Sequence, residues 1–228
     1  MFYGVIHEGY IFDSKDIKYQ VEEFEQGKVK TLFVTGHSGS GKSTTGHKYE
    51  KELGINCYEL DDIGWNNGFT DEQLKEYGPE IYEWFYGPGK KYRLDPKVME
   101  NNDPTKNPPA NLVDWDLVVA SADFIKFILS KNTRCVVEGI AIFQILDEGI
   151  MKIEQFKNSA MIIKGTSAAK STVRALKRDY TNDKKEDPNL KLKDALPFHY
   201  LVSRVKYALH DEGVLREMRK KYKKKDKK

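Results

Sequence analysis

Apolar residues along the chain fall into two rhythms. Four short runs, "KTLFVTG" (30–36), "NCYEL" (56–60), "RCVVEG" (134–139) and "SAMIIKG" (159–165), are largely apolar rather than alternating. Runs of that kind predict parallel strands covered on both faces. Between them, apolar residues recur at helical spacing. The segment 13–27 places Ile17, Val21 and Phe24 on one face, with Asp13 or Ser14 as cap and Gly27 as stop. Further helices are expected over 42–53, over 70–86 with a break at Gly78-Pro79, and over 113–132, 167–180 and 195–213. Residues 1–12 suit a short strand or hairpin, while 87–111 and 181–194 are rich in turn-forming or charged residues and predict loops. Strands alternating with helices predict an α/β domain, its parallel sheet carrying helices on both faces.

The first strong strand runs straight into "GHSGSGKST". Gly36 to Ser43 fits G-x-x-x-x-G-K-[ST] at every fixed position, between a predicted strand and a predicted helix. Glycine lets such a turn curl so that successive N–H groups face an anion, and the new helix aims its positive end at the same place. The phosphate-binding set is therefore Gly36, His37, Ser38, Gly39, Ser40, Gly41, Lys42, Ser43 and Thr44. Lys42 would supply charge to the outer phosphates, and the Ser43 hydroxyl a ligand to Mg²⁺. The expected ligands are a nucleoside triphosphate, taken as ATP, and magnesium. An N-K-x-D segment, which would select guanine, is missing, and so is a transporter-type L-S-G-G-Q signature.

"CYELDDIGW" (57–65) puts Asp61 and Asp62 directly after the second strand. Strand carboxyl ends face the ligand crevice of an open parallel sheet, so this pair belongs opposite the triphosphate. A carboxylate there can hold a magnesium-bound water or take the proton of an attacking hydroxyl. Arg174 and Arg178, four apart, share a helix face, which is either a solvated basic stripe or a source of charge for the transferring phosphoryl group. Lys164 and Thr166 follow the fourth strand as candidates for a nucleotide-base contact or a simple turn. Ile81, Trp84 and Phe85 suit core packing, the alternative being an acceptor pocket lined by the aromatics of the same region.

Charge changes the picture only locally. The chain has 228 residues and a net charge of +3, but the tail 219–228 holds eight basic residues and one acid, leaving −4 on the rest. The tail reads as a solvated, disordered terminus, and no nucleic-acid partner is expected. Cys57 and Cys135 lie in strand-like runs without metal-ligand spacing and are expected as reduced core thiols. No apolar run approaches a membrane span and the opening residues do not resemble a signal peptide, so a cytoplasmic protein without a membrane partner is expected.

The stretch "GHSGSGKSTTGHKYEKELGINCYELDDIGW" (36–65) resembles the small P-loop kinases related to adenylate, shikimate and gluconate kinases. It is most similar to the adenylate-kinase-related proteins often labelled topology-modulation proteins. The resemblance implies a three-layer P-loop NTPase fold with an acceptor-binding insertion and a lid. Asp61 falls on the family's strand-end aspartate and Trp65 on its aromatic. "VVEG" (136–139) resembles the third strand end, with Glu138 in the acidic slot beside the metal. "IIKGTSAAKSTVRALKRD" (162–179) resembles the fourth strand and the helix leading to the lid, which places Arg174 and Arg178 against the transferring phosphate. The organisation implied is an extension (1–29), a kinase domain (30–218) with an insertion (66–111) and a lid (about 179–193), and the tail. The expected activity is transfer of the γ-phosphate of Mg-ATP to a small-molecule acceptor, a hydroxyl rather than a nucleoside monophosphate. The alternatives are a regulatory NTPase without such an acceptor and a nucleoside monophosphate kinase.

Overall fold

Thr31–Gly36 (β3), Cys57–Glu59 (β4), Cys135–Glu138 (β5) and Ser159–Gly165 (β6) are four parallel strands in the order β6-β3-β5-β4. A hairpin of Phe2–His7 (β1) and Tyr10–Phe12 (β2) extends the sheet antiparallel along β6, in register from Phe2↔Gly165 to Val5↔Ile162. The computed structural model describes residues 2–7, 10–12, 21–36, 39–66, 68–94, 116–156, 159–165, 168–189 and 191, with scattered positions between 201 and 213.

Strand alternation explains the apolar runs. Leu32 and Val34 of β3, Val136 of β5, and Ala160 and Ile162 of β6 pack on one face with Phe24, Val29 and Tyr49. Phe33, Val137, Met161 and Ile163 point the other way, into a larger cluster with Trp84, Phe85, Phe124 and Ile142. Successive side chains of a strand leave on opposite faces, so a strand buried on both sides is mostly apolar, and the polar residues it holds, Thr31, Thr35, Glu138 and Ser159, lie at or near the strand ends.

The helices follow their local signals. Lys42–Leu53 (α1) ends at Gly54, whose left-handed backbone lets its N–H bond Glu50 O at 2.9 Å. Asp62–Asn66 (α2) is one short turn after β4. Asp71–Tyr77 (α3) opens on a capping box between Thr70 and Gln73, and Pro79 occupies the start of Pro79–Tyr86 (α4). The predicted break at Gly78-Pro79 therefore separates two helices. Leu117–Lys131 (α5) is capped by Asp116, whose carboxylate accepts from Val118 N at 2.7 Å. Ala141–Asp147 (α6), to which the sequence reading assigned no element, packs its apolar residues into the larger cluster. Gly27, at φ 74°, closes the helical turn of residues 21–25 as expected.

One expectation is corrected. Residues 181–186, read from sequence as a loop and as part of a lid, continue the helix Ala168–Glu186 (α7). Nothing in "TNDKKE" interrupts a helix, and Thr181 Oγ1 folds back to donate to Lys177 O at 2.7 Å. The stop comes just ahead of Pro188, whose ring disfavours helical backbone at Asp187. The described positions between 201 and 213 are helical, as expected. Residues 13–20, 95–115, 192–200 and the tail 219–228 lie outside the described residues.

The chain path fixes where a ligand crevice falls. From β3 it runs through α1 to the far strand β4, returns to β5, and then crosses to β6 on the other side of β3. Connections on either side of β3 thus diverge at its carboxyl end, the position at which open α/β sheets bind ligands. Among the described residues, no helix is long and apolar enough to cross a membrane.

Candidate functional site

The turn after β3 occupies that end. A Cβ on Gly36, at φ 143°, would collide with the carbonyl oxygen of Lys164, so β3 and β6 close on each other only because this residue lacks a side chain. Gly39 and Gly41 adopt φ of 73° and 87°. Gly41 is the N-cap of α1 and offers no side chain to the first N–H groups, and the first turn holds no acid. The contrast with α5, which Asp116 caps, is chemical: α1 leaves its orphan donors to whatever enters the turn. Ser40 is buried, its hydroxyl without a partner among the described residues, and Thr44 is exposed. His37 and Ser38 lie outside the described residues.

Lys42 and Ser43 begin α1 and face the end of β5. Ser43 Oγ donates to Oε1 of Glu138 at 2.6 Å. Glu138 is only 3% exposed, and its other oxygen, Oε2, is buried without a hydrogen-bond partner among the described residues. Burial pushes this carboxyl up to about 7, opposed by the Ser43 hydrogen bond and the Lys42 charge and reinforced by Glu59. Glu59 is its neighbour across the β4–β5 ladder. One hydroxyl and one buried carboxylate with a spare oxygen fit Mg²⁺, a hard cation usually held by few protein ligands, waters and substrate phosphates. No cluster of three or more His, Cys, Asp or Glu suited to a metal occurs among the described residues.

The two aspartates after β4 separate. Asp61 sits in the turn, solvent-exposed, its carbonyl accepting from Gly64 N at 3.2 Å. Asp62 begins α2, half-buried, and accepts the hydroxyl proton of Tyr77. Burial raises the Asp62 carboxyl, and the Tyr77 bond offsets part of that rise. Because Leu60 N bonds Glu138 O at 2.7 Å, the pair leaves the sheet at the same edge as Glu138.

Helix α7 brings Arg174 to the glycine turn, with Nη1 3.5 Å from Gly39 O. Arg178, one turn further on, is exposed. The functional candidate that sequence reading placed only loosely is Lys164: its Nζ donates to Gly41 O at 2.9 Å and to Thr45 Oγ1. Thr166 lies outside the described residues. A second addition is His47, whose ring nitrogens meet Glu50 at 2.8 Å and Glu59 at 2.9 Å. The hydrogen bond to Glu50 raises its pKa most, with further help from Glu59 against burial. Ser43 and His47 are four apart on one helix face, the single local hint that both lean towards the strand ends.

The aromatic insertion resolves in favour of packing at its centre. Ile81, Trp84 and Phe85 are fully buried in the larger cluster, and Trp84 stacks on Tyr92 at 5.5 Å. Cys57 and Cys135 are buried free thiols, as expected. Comparison with protein-family models finds no match, and comparison with curated proteins finds none either.

Proposed function

We propose that this chain is a P-loop kinase: an ATP- and magnesium-dependent phosphotransferase acting on a small-molecule acceptor. The observation that carries the reading is the 2.6 Å bond from Ser43 Oγ to buried Glu138, formed beside Lys42 at the mouth of an uncapped helix. A hydroxyl and a carboxylate held together at a glycine turn are what a metal-bound triphosphate requires.

In this reading the N–H groups of the turn from Gly36 to Thr44, with His37 and Ser38 among them, cradle the phosphates, and Lys42 offsets charge on the outer ones. Ser43 and Glu138 hold Mg²⁺, and Asp61 reaches it through water or acts on the acceptor. When bound, the metal ion neutralises phosphate charge and orients the γ-phosphoryl group. Arg174, and Arg178 behind it, face the charge that develops on the transferring oxygens. A nucleoside monophosphate attacks with an oxygen already ionised, whereas an alcohol must lose a proton. An exposed carboxylate, Asp61, at the strand edge therefore favours a hydroxyl acceptor.

The test is ADP release from Mg-ATP, measured in water alone and with a panel of hydroxyl compounds and nucleoside monophosphates. Acceleration by a hydroxyl compound supports the proposal, and acceleration only by a monophosphate moves the acceptor class. Slow hydrolysis unaffected by every acceptor favours a regulatory NTPase, and failure to bind Mg-ATP refutes the phosphate-loop reading.

A further inference from the structure

Lys164 touches both ends of the glycine turn. Its backbone is in register with Gly36, where the turn begins, and its carbonyl oxygen fills the space a Cβ on Gly36 would need. Its side chain reaches the other end, donating to Gly41 O at 2.9 Å and to Thr45 Oγ1. Thr45 in turn donates to the same Gly41 carbonyl at 3.1 Å. Cation, hydroxyl and carbonyl thus form a closed triangle on the outer side of the turn. A cation of α7, Arg174, approaches a second carbonyl of the turn, Gly39 O.

The geometry points to Lys164 as a positioning residue that sets the phosphate-facing N–H groups from behind, without itself touching the phosphates. The peptide plane supplies the reason. In a planar trans peptide the C=O of one residue and the N–H of the next point in opposite directions. Holding Gly41 O against Lys164 therefore turns the N–H of Lys42 away from Lys164 and into the turn. Gly41 O also accepts the first backbone bond of α1, from Thr45 N at 3.2 Å, but glycine's broad backbone freedom makes one neutral bond a weak restraint, and Lys164 adds a charged donor that ties the same carbonyl to β6. A half-buried ammonium suits this role, since a charge-assisted bond is stronger than a neutral one and partial exclusion of water strengthens it further. Burial, with the nearby Arg174 charge, lowers the Lys164 pKa, and the bonds to the carbonyl and hydroxyl oppose that loss by holding the charged form.

This inference rests on the triphosphate reading, and the test separates the two. Binding of Mg-ATP and of inorganic tripolyphosphate with magnesium is measured by calorimetry on the full chain and its variants. Lys164→Met is expected to weaken both ligands by the same factor, roughly tenfold, the loss typical of one charged hydrogen bond. Thr45→Val is expected to weaken both as well, and the double variant to be no worse than the poorer single one, because one triangle is broken only once. Loss of ATP affinity with unchanged tripolyphosphate affinity would place Lys164 on the nucleoside and overturn the inference. Additive losses would mean a direct phosphate contact independent of Thr45, and would overturn it too. If Lys164→Met does not fold, Thr45→Val decides on the same two ligands: equal loss supports the inference, and no loss ends it. A wild-type chain that binds neither ligand overturns both this inference and the triphosphate reading. Wild-type binding with an unaffected Lys164→Met overturns this inference alone.

Discussion

Ser43 Oγ and Glu138 Oε1, 95 positions apart in the chain, are 2.6 Å apart in the fold. The bond joins the first turn of α1 to the end of β5 and leaves Glu138 Oε2 buried without a hydrogen-bond partner among the described residues. Ser43→Ala should therefore reduce the magnesium dependence of ATP binding more than nucleotide binding without metal. Titrating ATP with and without magnesium checks this. Equal loss in both conditions would count against a metal role.

Glu138 also predicts a pH dependence. Folding raises its carboxyl to about 7, above its ordinary value of about 4.5, so the folded chain holds more protons than the unfolded chain between those limits. This contribution is present at low pH and is lost as pH rises towards 7. The nucleotide-free melting temperature should fall across that window more steeply in the wild type than in Glu138→Gln. Magnesium needs the carboxylate, so Mg-ATP affinity should rise over the same window.

Lys42→Ala removes the only side-chain cation of fixed charge inside the G-x-x-x-x-G-K-[ST] segment. Charged hydrogen bonds contribute about 1.5–3 kcal/mol, so ATP affinity should drop about ten- to a hundredfold. A fluorescent ATP analogue reads this directly, and unchanged affinity would refute the assignment of the turn.

Asp61 and Asp62 should behave differently because only Asp61 is exposed, while Tyr77 holds Asp62. Asp61→Asn should slow phosphoryl transfer by about two to four decades, the range for a general base, with ATP affinity little changed. If Asp61 instead holds the metal through water, excess magnesium should restore part of the rate. A crippled Asp62→Asn beside an active Asp61→Asn would reverse the assignment and leave the kinase reading standing.

Trp84 and Tyr86 separate packing from recognition within α4. Trp84 is fully buried, and truncation to Ala should cost about 3–5 kcal/mol in urea unfolding. Tyr86 is 46% exposed but bonds Asp71 and packs against Tyr82 and Arg93, so Tyr86→Ala should destabilise measurably, yet clearly less than Trp84→Ala. A Trp84→Ala protein of full stability would contradict the core placement.

Local pattern was enough to locate the four parallel strands, α1 from Lys42 to Leu53, and the break between α3 and α4. Those features depend on neighbours a few positions apart: glycine at helix ends, proline at a helix start, unbroken apolar runs. The glycine turn was legible for the same reason, since its motif is contained in one short segment. By contrast, nothing local in "TNDKKE" distinguishes a loop from the last turns of α7, because those residues carry no apolar rhythm. Nor does "IIKGT" announce that Lys164 will hold Gly41, 123 positions away. That contact exists because β6 pairs with β3 in the register Gly36↔Lys164, and strand pairing is settled by long-range burial on two faces. The resemblance of "VVEG" singles out Glu138 by its place at a strand end, but its burial and its bond to Ser43 depend on the sheet order that sets β5 beside β3. The fold then takes its carboxyl out of water, places Ser43 on one oxygen and leaves the other without a hydrogen-bond partner among the described residues.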